Sequence, residues 1–153
     1  MKPIPVVSHV DIQKFMGDWY VIACIPTFIE TDAYNAIESY RLNDDGSIAT
    51  TFTFRKGAPD GPLKKYTPTG HIIDKTSNAV WGMQFIWPID AEYLIAHLEK
   101  DYRYTIIARN ARDYVWIMAR APRIPGQDYE RLSNIVKILG YDVTLLRKIP
   151  QQW

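Results

Sequence analysis

From Gly17 to Arg120 the chain repeats one pattern: a short run rich in β-branched and aromatic residues, then a cluster of Gly, Pro, Asn or Asp. Such runs read as strands bounded by turns, and eight of them at short, regular spacing predict an antiparallel barrel or sandwich. They are expected over residues 17–25, 36–42, 47–56, 65–74, 79–87, 92–98, 102–109 and 114–120. Asn43-Asp44-Asp45-Gly46 is a strong hairpin signal. Gly57 to Pro62 is a turn and not a phosphate cradle, since no lysine-serine or lysine-threonine pair opens a helix behind it.

Helical periodicity appears at the two flanks. Residues 10–16 read as one turn, with Asp11 as cap and Ile12, Phe15 and Met16 apolar. Pro122 and Pro125 end the β pattern; from Asp128, a candidate cap, Leu132, Ile135, Val136 and Leu139 recur at helical spacing until Gly140 stops the helix. That helix is expected on the outer face of the sheet, with a final short strand over 143–148 at the edge.

With 153 residues and 47% apolar composition, residues 1–153 form one domain large enough to bury a core unaided. Eighteen basic and seventeen acidic side chains leave a formal charge of +1, so net charge offers no drive toward nucleic acid or a membrane. Cys24 is the only cysteine, which rules out an intrachain disulfide and a thiolate metal cage. His9, His71 and His97 lack metal-ligand spacing, and no GxSxG, HExxH or Rossmann fingerprint occurs. No catalytic residue and no cofactor is expected. Residues 1–7 lack the apolar run of a secretory signal, and no stretch approaches the roughly 20 apolar residues of a membrane span.

Three segments carry a resemblance to a known family: Phe15-Met16-Gly17-Asp18-Trp19-Tyr20, Tyr40-Arg41-Leu42-Asn43-Asp44-Asp45-Gly46, and Asp113 to Pro122 with Val115-Trp116-Ile117-Met118-Ala119-Arg120 at its centre. Together with Asp101-Tyr102, and in this order and spacing, they resemble the lipocalins, above all the bacterial outer-membrane and apolipoprotein D-like members. The resemblance implies an all-β fold: an eight-stranded antiparallel up-and-down barrel with a C-terminal helix on its outside and a short last strand. It makes Gly17, Trp19, Asp101, Tyr102 and Arg120 a structural signature, with Arg120 stacked on Trp19 at the closed end. It also implies binding and transport or storage of small hydrophobic ligands without turnover, in particular fatty acids or lysophospholipids, in the cell envelope and in the service of membrane maintenance. Bacterial members usually carry a lipid-bearing cysteine; its absence here means a processed chain or a member that is not exported. Where close relatives often have glutamate after the Trp-Tyr pair, this chain has Val21.

Registering the alternation on Trp19, Tyr102 and Arg120, as the resemblance suggests, sends one set of side chains inward. That set is Val21, Ala23 and Ile25; Ala36, Glu38 and Tyr40; Thr51, Thr53 and Arg55; Trp81, Met83 and Phe85; Tyr93, Ile95 and His97; Tyr104 and Ile106; Tyr114, Trp116 and Met118. Cys24 falls outside, which disfavours an isomerase built on a cavity thiolate. From the inward set the ligand wall is expected at Trp116, Tyr93, Ile95, Met83, Phe85, Ile106, Tyr104, Tyr40 and Thr53, with Arg55 on an anionic head group. Two readings of the interior stand: a solid aromatic core, or a pocket with polar anchors. Beside a lipid carrier, the alternatives are a binder of haem, bilin or carotenoid, and a filled-barrel module that forms a homodimer through a sheet edge. The rim cations Arg55, Lys56, Lys64, Lys65, Arg109 and Arg112 are either a head-group site or a solvated rim.

Overall fold

In the computed structural model the backbone is described for residues 1–27, 30–86 and 89–153, and the side chains of these except 85, 86, 89 and 90. After a short helix α1 (Ile12–Phe15) come β1 (Gly17–Ile25), β2 (Ala33–Leu42), β3 (Ile48–Lys56), β4 (Leu63–Tyr66), β5 (Thr69–Asp74), β6 (Val80–Ile86), β7 (Ile89–Leu98), β8 (Tyr104–Ala108) and β9 (Val115–Ala119). Helix α2 (Gly126–Ile138), a single 3-10 turn (Val143–Leu145) and β10 (Arg147–Lys148) complete the chain.

Every pairing is antiparallel between neighbours, and β9 returns to β1 to close the sheet into a barrel. β4 and β5 both pair with β3 and are halves of the one strand expected over 65–74. Pro68 separates them, because proline has no N–H for the ladder; its carbonyl still accepts from Thr50 N at 3.1 Å. The fold is therefore an eight-stranded antiparallel barrel with a helix outside it, as the resemblance implies.

One end is closed by packed aromatics. Phe15 from α1 lies 5.1 Å from the Trp19 ring, and Trp81 stacks on Tyr93 at 5.0 Å. Trp19 is fully buried, its indole N–H donates to Phe15 O at 2.9 Å, and the Arg120 guanidinium sits over the ring at 3.8 Å. Arg120 also donates to the carbonyls of Asp18, Lys14 and Phe15 at 2.9, 2.8 and 3.2 Å, so a single fork ties α1 to β1. Gly17 stands beside it with φ +95°, where a Cβ would meet Arg120 Nη1 at 3.5 Å. Tyr102, at φ +60°, accepts from Asp11 N at 2.9 Å, and Asp101 accepts from Arg103 N.

A second apolar layer lies outside the barrel, where Leu132 and Val136 of α2 and Leu139 at its C-cap cover Ile106, Ala108, Ile117 and Ala119. Helix α2 begins at Gly126, two residues before the expected cap. Asp128 is thus in the first turn, and instead of capping it accepts from Tyr104 Oη at 2.5 Å. Of the strand expected over 143–148, only Arg147–Lys148 pairs with β1; Asp142 caps Thr144 N and turns the preceding residues into the 3-10 helix. Beyond it, Gln151 inserts between β1 and β2 where their ladder has ended, donating to Val21 O and Ala36 O at 3.0 Å each.

Candidate functional site

Above the aromatic floor the barrel is hollow. A cavity of about 80 Å³, lined by Thr27, Glu30, Glu38, Tyr40, Phe52, Met83, Ala91, Glu92, Tyr93, Ile107, Arg109, Trp116 and Met118, opens toward the loop after β1 and the ends of β7 and β8. At roughly 10–15 Å³ for each enclosed water centre, this is room for several waters or one slim organic group. The interior is thus solid in its lower half and hollow above, and each of the two readings of the aromatic face describes one part.

Of the ligand wall expected from the sequence, Tyr40, Met83, Tyr93 and Trp116 line this cavity. Ile95 is fully buried in the inner cluster but lies among the packed residues, away from the lining. The side chain of Phe85 lies outside the described residues. Four others face the wrong way. Tyr104 and Ile106 pack under α2, because the left-handed turn at Tyr102 interrupts the strand and β8 starts only at Tyr104, with Ile107 on its inner face. Thr53 and Arg55 point outward because β3 pairs Glu38 with Phe52 and Tyr40 with Thr50, which sends Phe52 and Phe54 inside. Among the described residues Arg55 reaches only Gly61 O, at 3.4 Å, and it points away from the cavity expected to hold the head group.

Two β-bulges explain the remaining differences. In β1 the register against β9 shifts between Val21 and Ala23, so Ala23 and Ile25 turn out toward the helix layer and Cys24 turns in opposite Trp116. In β7 the shift falls between Ile95 and His97, and His97 leaves the interior to bind Glu99, which Arg131 of α2 also holds at 2.8 Å. Cys24 is thus inside, contrary to its parity. Burial, with the Glu30 carboxyl nearby, pushes its thiol well above the ordinary range, which leaves no thiolate for an isomerase.

The rim cations separate in the same way. Arg112 is spent on the carbonyls of Leu139, Asn110 and Lys2, and Lys56, Lys64 and Lys65 are exposed. Arg109 alone of them lines the cavity, and its Nε is held by Asp113 at 2.8 Å.

What no motif announced is the acidic lining. Glu30 is 4% exposed, accepts from Thr27 N at 3.0 Å, and takes the Trp116 indole N–H at 3.3 and 3.4 Å on its two oxygens. Burial raises its pKa. Glu38 projects from the middle of β2, and its carboxyl is pushed up to about 8, first by desolvation and then by the charge of Glu30. Below it the hydroxyls of Tyr40 and Tyr93 are in direct contact. Alternation along β2 already places Glu38 inward; Glu30 sits in a loop, and only the tertiary structure folds it over the cavity. Among the described residues no group of three His, Cys, Asp or Glu is placed to hold a metal ion.

A family model for the lipocalin-like domain matches residues 10–151, nearly the whole chain and all of the barrel. The chain belongs to the lipocalins. Temperature-induced lipocalin-1 of Arabidopsis thaliana is 28% identical to it over 162 residues, covering 98% of this chain and 84% of that protein. Outer membrane lipoprotein Blc of Citrobacter freundii is 28% identical over 152 residues with the same coverage. Among solved structures, insecticyanin of the tobacco hornworm Manduca sexta superposes with a TM-score of 0.76 at 16% identity, over 99% of this chain and 86% of that one, a likeness of fold. Like its family, this lipocalin is a binding protein for small hydrophobic ligands and performs no turnover.

Proposed function

We propose that this lipocalin binds and carries a slim single-chain amphiphile, with lysophospholipids favoured over free fatty acids. The observation that carries the reading is the cavity itself: its wall of Phe52, Met83, Ile107, Trp116 and Met118 removes methylenes from water at about 0.8 kcal/mol each, and its narrowness suits a chain better than a haem, bilin or carotenoid. A fatty acid carboxylate inside would meet Glu30 and Glu38, and once these have lost their protons the like charge disfavours it against a head group that carries no net negative charge. The likeness to an outer membrane lipoprotein supports work at the cell envelope, in membrane upkeep.

Titration with lysophospholipids of increasing chain length, read through Trp fluorescence, tests this. Trp116 lines the cavity, so its emission is expected to shift, with affinity growing by chain length until the slot is full. Unchanged emission and unchanged thermal stability at saturating ligand would refute it.

A further inference from the structure

The charges around the cavity are lopsided. Facing it are Thr27 and Glu30 from the loop after β1, Glu38 and Tyr40 from β2, Glu92 and Tyr93 from β7, Arg109 just after β8, and Trp116 from β9, with Cys24 of β1 buried in the inner cluster opposite Trp116. Arg109 is the one cation among the described residues lining it, and its guanidinium is engaged by both oxygens of Asp113. Glu92 is engaged too, accepting from Asn110 N at 2.6 Å and Asn110 Nδ2 at 3.0 Å. Glu30 holds the Trp116 indole. Glu38 has no cationic partner among the described residues, and it shares the cavity lining with the aromatic side chains of Tyr40, Phe52, Tyr93 and Trp116.

We propose that the polar end of the ligand is a cationic nitrogen, an ammonium or quaternary ammonium group, seated on the Glu38 carboxylate among these aromatic side chains. The proposal rests on the reading of the cavity as the ligand site and deepens it by naming the class of head group. An uncompensated carboxylate in an apolar hollow is costly, and an entering cation converts that cost into an ion pair. Aromatic faces carry negative potential and attract quaternary ammonium groups in particular. A carboxylate-bearing ligand meets a repulsive field once Glu38 has lost its proton. Because Glu38 in the empty cavity holds its proton up to about pH 8, a permanently charged nitrogen must displace that proton to bind. Affinity for it therefore rises about tenfold per pH unit below that value and levels above it.

Three probes of equal chain length decide the matter: octyltrimethylammonium, octanoate and octanol, each titrated into the whole protein by calorimetry from pH 6 to 9. The expected result is a preference for the ammonium over octanoate of tenfold or more at pH 8, and release of close to one proton on its binding at pH 7, measured in two buffers of different ionisation enthalpy. Glu38→Gln is expected to abolish both the preference and the proton release while octanol still binds, which shows the cavity intact. Octanoate binding as tightly as the ammonium, or an ammonium preference that survives Glu38→Gln, overturns the proposal and leaves the amphiphile reading standing. Absence of binding by all three overturns both.

Discussion

Arg120 lies over Trp19, its guanidinium carbon 3.8 Å from the ring centroid, while its nitrogens donate to three backbone carbonyls of residues 14–18. One side chain thus joins the end of β9, the start of β1 and the short helix that seals the barrel. Arg120→Lys keeps the charge but loses the planar fork. It is expected to cost about 2–3 kcal/mol, or some 4–12 °C in Tm, and Arg120→Ala more. Urea unfolding measures this, and a lysine variant as stable as the parent contradicts it.

Gly17 is required at its place by its backbone. At φ +95° an L side chain is strained, and the space a Cβ would enter is already bounded by Arg120. Gly17→Ala is expected to lower stability by about 1–2 kcal/mol. If the loss reflects both strain and a shifted Arg120, the double variant with Arg120→Lys costs less than the sum of the two singles.

Gln151 acts as a rung where strands have separated. Its Nε2 serves Val21 O and Ala36 O, and the residue is 8% exposed. Gln151→Leu leaves both carbonyls without a donor, at about 1–3 kcal/mol. Amide exchange should accelerate at Val21 and Ala36 before it does at the aromatic floor; uniform acceleration would show a global loss instead.

The interior acid makes stability depend on pH in an unusual direction. The folded Glu38 carboxyl titrates near 8 against an ordinary value of 4.5, so the native state holds a proton the unfolded chain has released. Its contribution is fully present below about pH 4.5 and is lost as pH rises toward and through 8. Thermal melts of the empty protein should fall over that window and flatten in Glu38→Gln. Glu30, also raised, adds a component of the same sign that remains in the variant.

Cys24 should be chemically silent. Fully buried and with its thiol held protonated, it is expected to resist a thiol reagent at pH 8 in the folded protein and to react completely once unfolded. Rapid stoichiometric labelling of the native state would show that the interior opens more readily than its packing implies.

Much of this protein was present in local chemistry. The alternation of β-formers with Gly, Pro, Asn and Asp dictates the strands and turns, because side-chain period and turn geometry depend only on neighbours a few residues away. The spacing of Leu132, Val136 and Leu139 dictates the outer helix for the same reason, and Trp19, Met83, Tyr93, Trp116 and Met118 sit inside where alternation puts them. The face of β3 is legible in the local alternation of Phe52 and Phe54 with Thr51, Thr53 and Arg55, whereas a register carried over from other strands inverts it.

Other features have no local signal. A bulge inserts one residue into a strand because its partner demands it, so nothing in Val21-Ile22-Ala23-Cys24 discloses that Cys24 turns inward, and nothing in Ile95-Ala96-His97 discloses that His97 turns out to Glu99 and α2. Tyr102 ends one parity and Tyr104 begins another for a comparable reason, a left-handed residue held by the closed end of the barrel. The acidic character of the cavity belongs to the same class. Glu30 and Glu38, one in a loop and one in mid-strand, become coupled interior acids with raised pKa only when the barrel closes around them and removes the water that would have screened them. The sequence by itself thus determined a barrel with an aromatic interior; tertiary pairing decided which groups face its hollow, because register is a property of two strands and burial a property of all of them.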